Sequence, residues 1–128
     1  FEETGLIAGT PGDVGPSRDP AWRKFRELGL APDLARLSYL GRAVTPTVQS
    51  MRFHARFFFM SAEQIRGDIR PSEELEDLHW VALTKRSGLR MMQVTEFMLD
   101  TLAARLSGDI TKAPFISFKN GAARTVWQ

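Results

Sequence analysis

The sequence predicts an α/β fold in which strands and helices pack in layers. Residues 52–60 alternate between two faces as in a half-buried strand, and residues 93–107 repeat apolar side chains at helical spacing. A further helix begins at Asp19-Pro20, because Asp is a favoured N-cap and Pro a favoured first helical residue. The length of 128 residues predicts one domain over residues 1–128.

The composition narrows the class of protein. It is 43% hydrophobic and 25% charged, which is typical of a globular domain. No apolar run approaches the ~20 residues that span a membrane, and no signal-peptide pattern is present. Without cysteine the chain has no disulfide or thiolate chemistry, which is compatible with the cytoplasm, the predicted location. The net charge of +2, with acids and bases interspersed, predicts neither a nucleic-acid polymer nor a membrane as partner.

The first half of the chain contains a loop, a helical stretch and the first strand. Gly and Pro break any periodicity over residues 6–19, which predicts a loop. Helical structure is predicted over residues 20–36, with a break at Gly29. A strand is predicted over residues 37–45, and Pro46 ends it.

The second predicted strand, residues 52–60, has two distinct faces. The side chains expected to face the core are Phe53, Ala55, Phe57 and Phe59. Those expected on the opposite face are Arg52, His54, Arg56 and Phe58. The two arginines and the histidine either line a phosphate-binding surface or lie on an exposed face balanced by nearby carboxylates.

The last part of the chain predicts a strand, a helix and a hairpin. The strand covers residues 75–82 and the helix residues 93–107, with Gln93 or Thr95 as cap. A C-terminal hairpin over residues 112–128 would turn at Asn120-Gly121, a pair that accepts the positive φ angles of a type I′ turn. In that hairpin the expected facing pairs are Phe115 with Val126 and Phe118 with Ala123.

The first six residues are a candidate site. Glu2 and Glu3 precede Gly5, a natural helix terminator. Carboxylates in the last turn of a helix face the negative end of its dipole, which is unfavourable by a few tenths of a kcal/mol to about 1 kcal/mol. This placement suggests that a cation uses them, and the alternative is two solvated surface glutamates.

Phe1 to Leu6 resembles the closing part of the Nudix signature, Arg-Glu-aliphatic-any-Glu-Glu-any-Gly-aliphatic. Residues 42–46, 52–58 and 74–81 follow in an order similar to that of a bacterial subgroup of Nudix hydrolases, related to acyl-CoA diphosphatase-like members. The resemblance extends to about Phe118 and implies a Nudix-type α/β/α sandwich with a mixed sheet. The N-terminal strands and most of the signature helix would then lie upstream of Phe1, and we expect such a segment to exist.

The resemblance also implies a reaction, the metal-dependent cleavage of a diphosphate linkage in a nucleoside diphosphate derivative. Whether the substrate is of the CoA or the nucleotide-sugar type is left open. Glu2, Glu3 and Glu74 would hold Mg²⁺ or Mn²⁺, and Glu3 and Glu74 would be catalytic. Glu73 and Glu76 remain alternatives to Glu74. Arg52 or Arg56 would neutralise substrate phosphate.

A second hypothesis comes from a different functional class. Because the opening half of the signature is absent from this chain, the domain is alternatively a non-catalytic Nudix-like module that binds a nucleotide or a partner. The expected partner of the hydrolase is a small diphosphate compound, and a homodimer is left open.

Overall fold

The protein is a mixed α/β structure with two sheets and two α-helices in the described residues. The computed structural model describes residues 1–45, 53–72, 75–119 and 122–128. These form two compact units. Unit one comprises residues 1–37 and 60–80, and unit two comprises residues 38–59 and 81–128.

Unit one is built around a short antiparallel sheet and one helix. Strand β1 (Gly9–Pro11) pairs with strand β2 (Leu30–Pro32), and helix α1 (Pro20–Glu27) lies between them in the chain. The Oδ1 atom of Asp19 accepts a hydrogen bond of 2.9 Å from the backbone N–H of Ala21, so the predicted N-cap is confirmed.

The prediction for residues 6–36 was wrong in two respects. Residues 9–11, predicted as loop, form β1, and the helical stretch predicted to reach residue 36 ends at Glu27. Gly29 has φ +64° and turns the chain out of the helix, after which Leu30 is buried as part of β2. Only a 3₁₀ turn, Leu34–Arg36, remains helical. The pairing partner of each strand lies about twenty residues away, which local periodicity does not reveal.

Unit two contains a four-stranded sheet with the order β4-β3-β5-β6. Its strands are β3 (Ser38–Val44), β4 (His54–Phe59), β5 (Pro114–Lys119) and β6 (Ala122–Trp127). Strands β3 and β5 pair in parallel, and the other two pairs are antiparallel. Helix α2 (Gln93–Leu106) covers one face and builds the core with it. The buried core residues are Leu40, Ala43, Met98 and Ile116.

The two faces of β4 are partly as predicted. Phe57 and Phe59 pack against the core, as expected from the alternation. Ala55, also predicted to face the core, is exposed within the strand. Phe53, predicted to be core as well, is 58% exposed. It lies outside β4, which begins at His54, so the sheet does not bury its ring.

The C-terminal hairpin has the predicted register. Phe115 lies opposite Val126, and Phe118 lies opposite Ala123. The predicted turn at Asn120-Gly121 lies outside the described residues.

The strand predicted over residues 75–82 was wrong. These residues are described, and none of them belongs to a strand. Instead the N–H of Leu75 donates to Ser72 Oγ at 3.0 Å, and the N–H of Ser72 donates to the carbonyl of Leu75 at 2.9 Å. Trp80 is 63% exposed. A segment with alternating apolar residues becomes a strand only where it can pair with a neighbouring strand and bury its apolar face in a core.

Helix α2 has the predicted position but not the predicted cap. Its N-cap is Met92, which offers no side-chain acceptor, and Gln93 is the first helical residue. The predicted end at Gly108 is confirmed by its φ of +83°. In the described part of the chain no helix is long and apolar enough to cross a membrane.

Gly41 lies where β3 passes close to the start of β5. A Cβ at this position would lie 2.8 Å from the carbonyl oxygen of Pro114 and 2.9 Å from its Cγ. We expect Gly41→Ala to lower the free energy of unfolding by about 1–3 kcal/mol, because the backbone has to move to relieve the overlap. Urea denaturation monitored by circular dichroism measures this.

The control is Ser38→Ala, an exposed position at the start of the same strand. Its effect should stay within about 0.5 kcal/mol. Equal urea midpoints for the two variants would show that the sheet accepts a side chain at Gly41.

Candidate functional site

The predicted carboxylate pair lies in one closed turn at the start of unit one. Glu2 and Glu3 are exposed, and the N–H of Gly5 donates to the carbonyl of Phe1 at 2.7 Å. Gly5 is buried and has φ +75°, the left-handed conformation predicted for it. The two carboxylates are therefore presented to solvent on a turn with a defined backbone.

Backbone hydrogen bonds join the turn and the residues just after it to residues 66–70. The N–H of Arg70 donates to the carbonyl of Thr4 at 3.0 Å. Ile7 and Arg66 exchange two backbone hydrogen bonds of 2.8 and 3.0 Å. These bonds hold Gly5 against the backbone of Asp68. Sequence reasoning missed this contact, because the two hydrogen-bonded segments are distant from each other in the chain.

A cavity of about 300 Å³ lies beside this turn within unit one. Its charged lining residues are Lys24, Arg66, Asp68 and Arg70. The Nζ atom of Lys24 is 5.5 Å from the centroid of the Phe1 ring, a cation–π geometry. Three cations against one carboxylate make the cavity suited to an anionic group.

Arg56 lies on the sheet of unit two, directly opposite Arg42 of β3. The guanidinium of Arg42 stacks over the ring of Phe115 at 4.2 Å. The ring of His54 is 6.3 Å from that of Phe115, so His54 and Arg56 share the face predicted for them. The sequence prediction named only residues of one strand, since the cross-strand neighbours Arg42 and Phe115 become visible only with the register.

The predicted site residues belong to both units or lie outside the described residues. Glu2 and Glu3 belong to unit one, and Arg56 belongs to unit two. Arg52 and Glu74, and also the alternative Glu73, lie outside the described residues. The remaining alternative, Glu76, is exposed.

The turn offers oxygen donors of the kind that a divalent ion binds. Glu2 and Glu3 offer accessible carboxylate oxygens, and Mg²⁺ commonly binds one or two carboxylates together with substrate phosphates. Two adjacent carboxylates therefore fit such an ion. Within the described ranges, no group of three or more His, Asp or Glu residues is arranged to hold a metal. Glu74, the third predicted ligand, lies outside the described residues.

Comparison of the chain with models of protein families, with curated proteins and with solved structures finds no match. The assignment of function therefore depends on the residues and their geometry.

Proposed function

We propose that the protein is a Nudix-type hydrolase that cleaves a diphosphate linkage in a nucleoside diphosphate derivative with the help of Mg²⁺ or Mn²⁺. The observation that carries this proposal is the turn of Glu2 and Glu3 closed by Gly5, whose φ is +75°. The Nudix signature pattern ends in this way, with two glutamates before a glycine. The proposal includes an α/β/α sandwich of the Nudix type, supported by the mixed sheet of unit two.

The proposed chemistry assigns a role to each site residue. The metal, held by Glu2, Glu3 and Glu74, would polarise phosphate and lower the barrier to attack by water. Glu3 and Glu74 would orient the attacking water, and one of the two carboxylates would accept its proton. Arg52 and Arg56 would neutralise charge that builds on the phosphate oxygens, as guanidinium forks do. CoA and nucleotide-sugar derivatives are the substrate types to test first.

The test combines turnover with metal binding. We expect Mg²⁺- or Mn²⁺-dependent release of products from at least one member of a panel of nucleotide diphosphate and CoA substrates. A divalent ion at one hundred times its Kd should stabilise the fold by about 2.7 kcal/mol, because it binds only the folded state. Glu3→Gln should abolish turnover and remove most of this stabilisation, while Glu96→Gln, exposed on α2, should retain both.

Two results would contradict the proposal. One is the absence of turnover of every substrate with either metal. The other is an identical metal-induced shift in melting temperature for Glu3→Gln and Glu96→Gln, which would make Glu3 an ordinary surface residue.

The second candidate is a non-catalytic module that binds a nucleotide or a partner. It is favoured by the cavity of unit one, where Lys24, Arg66 and Arg70 outnumber Asp68 and suit an anionic ligand. Isothermal titration with the same substrates distinguishes the two candidates. Binding without metal dependence and without product would favour the module.

A further inference from the structure

The cavity of unit one lies where two turns of the backbone meet. Gly5 and Gly67, one in each turn, both line it and have φ angles of +75° and +92°. A Cβ on Gly67 would lie 2.5 Å from the carbonyl oxygen of Gly5. The turns approach this closely because neither glycine has a side chain, and the approach brings Arg66 and Arg70 to the cavity lining.

The main chain of both arginines is held in place. Arg66 exchanges two backbone hydrogen bonds with Ile7, and the N–H of Arg70 donates to the carbonyl of Thr4. The Cβ and Cγ atoms of Arg70 lie beside Gly5, 3.3 Å from the position that a Cβ there would take. A ligand therefore does not have to order the backbone that presents these two side chains, which lowers the entropic cost of binding.

The two arginines form no ion pair within the described part of the chain. The third cation of the lining, Lys24, is paired with Glu27 at 3.4 Å, so its charge is already balanced. Asp68 is the acidic residue on the described lining. Two unpaired guanidiniums against one carboxylate leave a positive potential that favours a bound anion.

The cavity also has an apolar lining. Ile7 and Leu30 are almost fully buried there, each 4% exposed. Leu28 and Phe1 line the same cavity and are each 47% exposed. An apolar group of a ligand would remove part of this exposed surface from water, which is favourable. The lining therefore suits an anion that carries an apolar group.

The size of the cavity and the type of its cations narrow the class of ligand. About 300 Å³ is the lower end of the range of about 300–1,000 Å³ that is usual for small-molecule sites. A phosphate monoester has a charge of about −1.5 to −2 at pH 7 and three strong acceptor oxygens. It can therefore engage two guanidinium forks at once, whereas a sulfate ester of the same shape carries only one negative charge.

We infer that the cavity of unit one binds a small phosphomonoester, with its phosphate on Arg66 and Arg70 and its apolar group against Leu28. The inference does not depend on the proposed hydrolysis, because Glu2 and Glu3 are not among the described lining residues and the site uses no metal. It applies equally if the domain is a binding module.

The experiment is isothermal titration of the protein in EDTA with three probes: phenyl phosphate, phenyl sulfate and inorganic phosphate. Phenyl phosphate should bind at least about tenfold more tightly than phenyl sulfate, because the second negative charge strengthens the hydrogen bonds to the guanidiniums. It should also bind at least about tenfold more tightly than inorganic phosphate, which has no ring to bury. EDTA excludes binding through a metal on Glu2 and Glu3.

Two charge variants and a matched control locate the phosphate. Arg66→Gln should weaken phenyl phosphate binding roughly tenfold, the low end for a lost hydrogen bond to a charged group, because Arg66 is exposed. Asp68→Asn removes a repelling charge and should tighten binding by up to about fivefold. The control is Arg23→Gln, exposed on α1 and outside the described lining, which should leave the affinity unchanged.

A third variant locates the apolar group. Leu28→Ala should weaken binding of phenyl phosphate by about 2- to 10-fold, because Leu28 is already partly exposed and truncation removes only part of a side chain's contact area. Its affinity for inorganic phosphate should not change. Circular dichroism checks that every variant is folded.

The inference is overturned by any of four results. These are no binding of phenyl phosphate, binding of phenyl sulfate or inorganic phosphate as tight as that of phenyl phosphate, equal affinities for folded Arg66→Gln and Arg23→Gln, and binding that appears only when Mg²⁺ replaces EDTA. The last result would place the phosphate on a metal at the carboxylates. Loss of turnover in the hydrolase assay with phenyl phosphate binding intact contradicts the hydrolase alone, and the reverse contradicts this inference alone.

Discussion

Met98→Ala is expected to lower the free energy of unfolding by about 2–5 kcal/mol. Met98 is 2% exposed and lies at the centre of the core of unit two, against Leu40 and Ile116. Truncation removes buried apolar surface and leaves a cavity that the close-packed strands fill only in part. Urea denaturation measures this change as a lower urea concentration at the unfolding midpoint, with an unchanged dependence of the unfolding free energy on urea concentration.

The matched control is Leu106→Ala on the same helix. Leu106 is 66% exposed, so truncation there removes little buried surface. Its effect should remain within about 0.5 kcal/mol. If Met98→Ala is as stable as Leu106→Ala, α2 does not pack on the sheet through Met98 in solution.

Gly5→Ala is expected to destabilise unit one by about 2–5 kcal/mol. The left-handed conformation at φ +75° costs a residue with a side chain about 1–2 kcal/mol. In addition, the new Cβ would lie 2.5 Å from the carbonyl oxygen of Asp68, and relieving that overlap costs about 1–3 kcal/mol. Thermal and urea denaturation should both show the loss.

Gly15→Ala separates the two contributions. Gly15 has a similar φ of +69°, but a Cβ there would have no neighbour within 4 Å among the described residues. It should therefore show only the conformational cost, about 1–2 kcal/mol. Equal destabilisation by the two variants would mean that the contact between Gly5 and Asp68 is not tight.

The elements that were predicted correctly depend on interactions between near neighbours. Asp19 caps the helix that begins one residue later, and Gly29 and Gly108 end their helices through their own positive φ. Strand β4 follows the alternation of its own residues, and the register of the hairpin follows from a short connection. In each case the physical cause lies within a few residues of the effect.

The elements that were predicted wrongly depend on distant partners. Residues 75–82 alternate like a strand, yet no strand forms over them. Residues 9–11 look like loop, yet pairing with β2 makes them a strand. Phe53 belongs to the same periodic set as Phe57 and Phe59 but lies one residue before β4 begins and stays exposed. A periodic pattern predicts which face of a segment is apolar. It does not predict whether another strand or helix packs against that face.

For the candidate sites, the sequence by itself determined the residue types and their local geometry. Glu2 and Glu3 come before a glycine that takes a positive φ, and His54 and Arg56 share one strand face. Only the tertiary structure decided what surrounds them. Strand pairing brought Arg42 opposite Arg56, with Phe115 beneath Arg42, because hydrogen bonding between strands joins residues that lie up to about seventy positions apart in the chain.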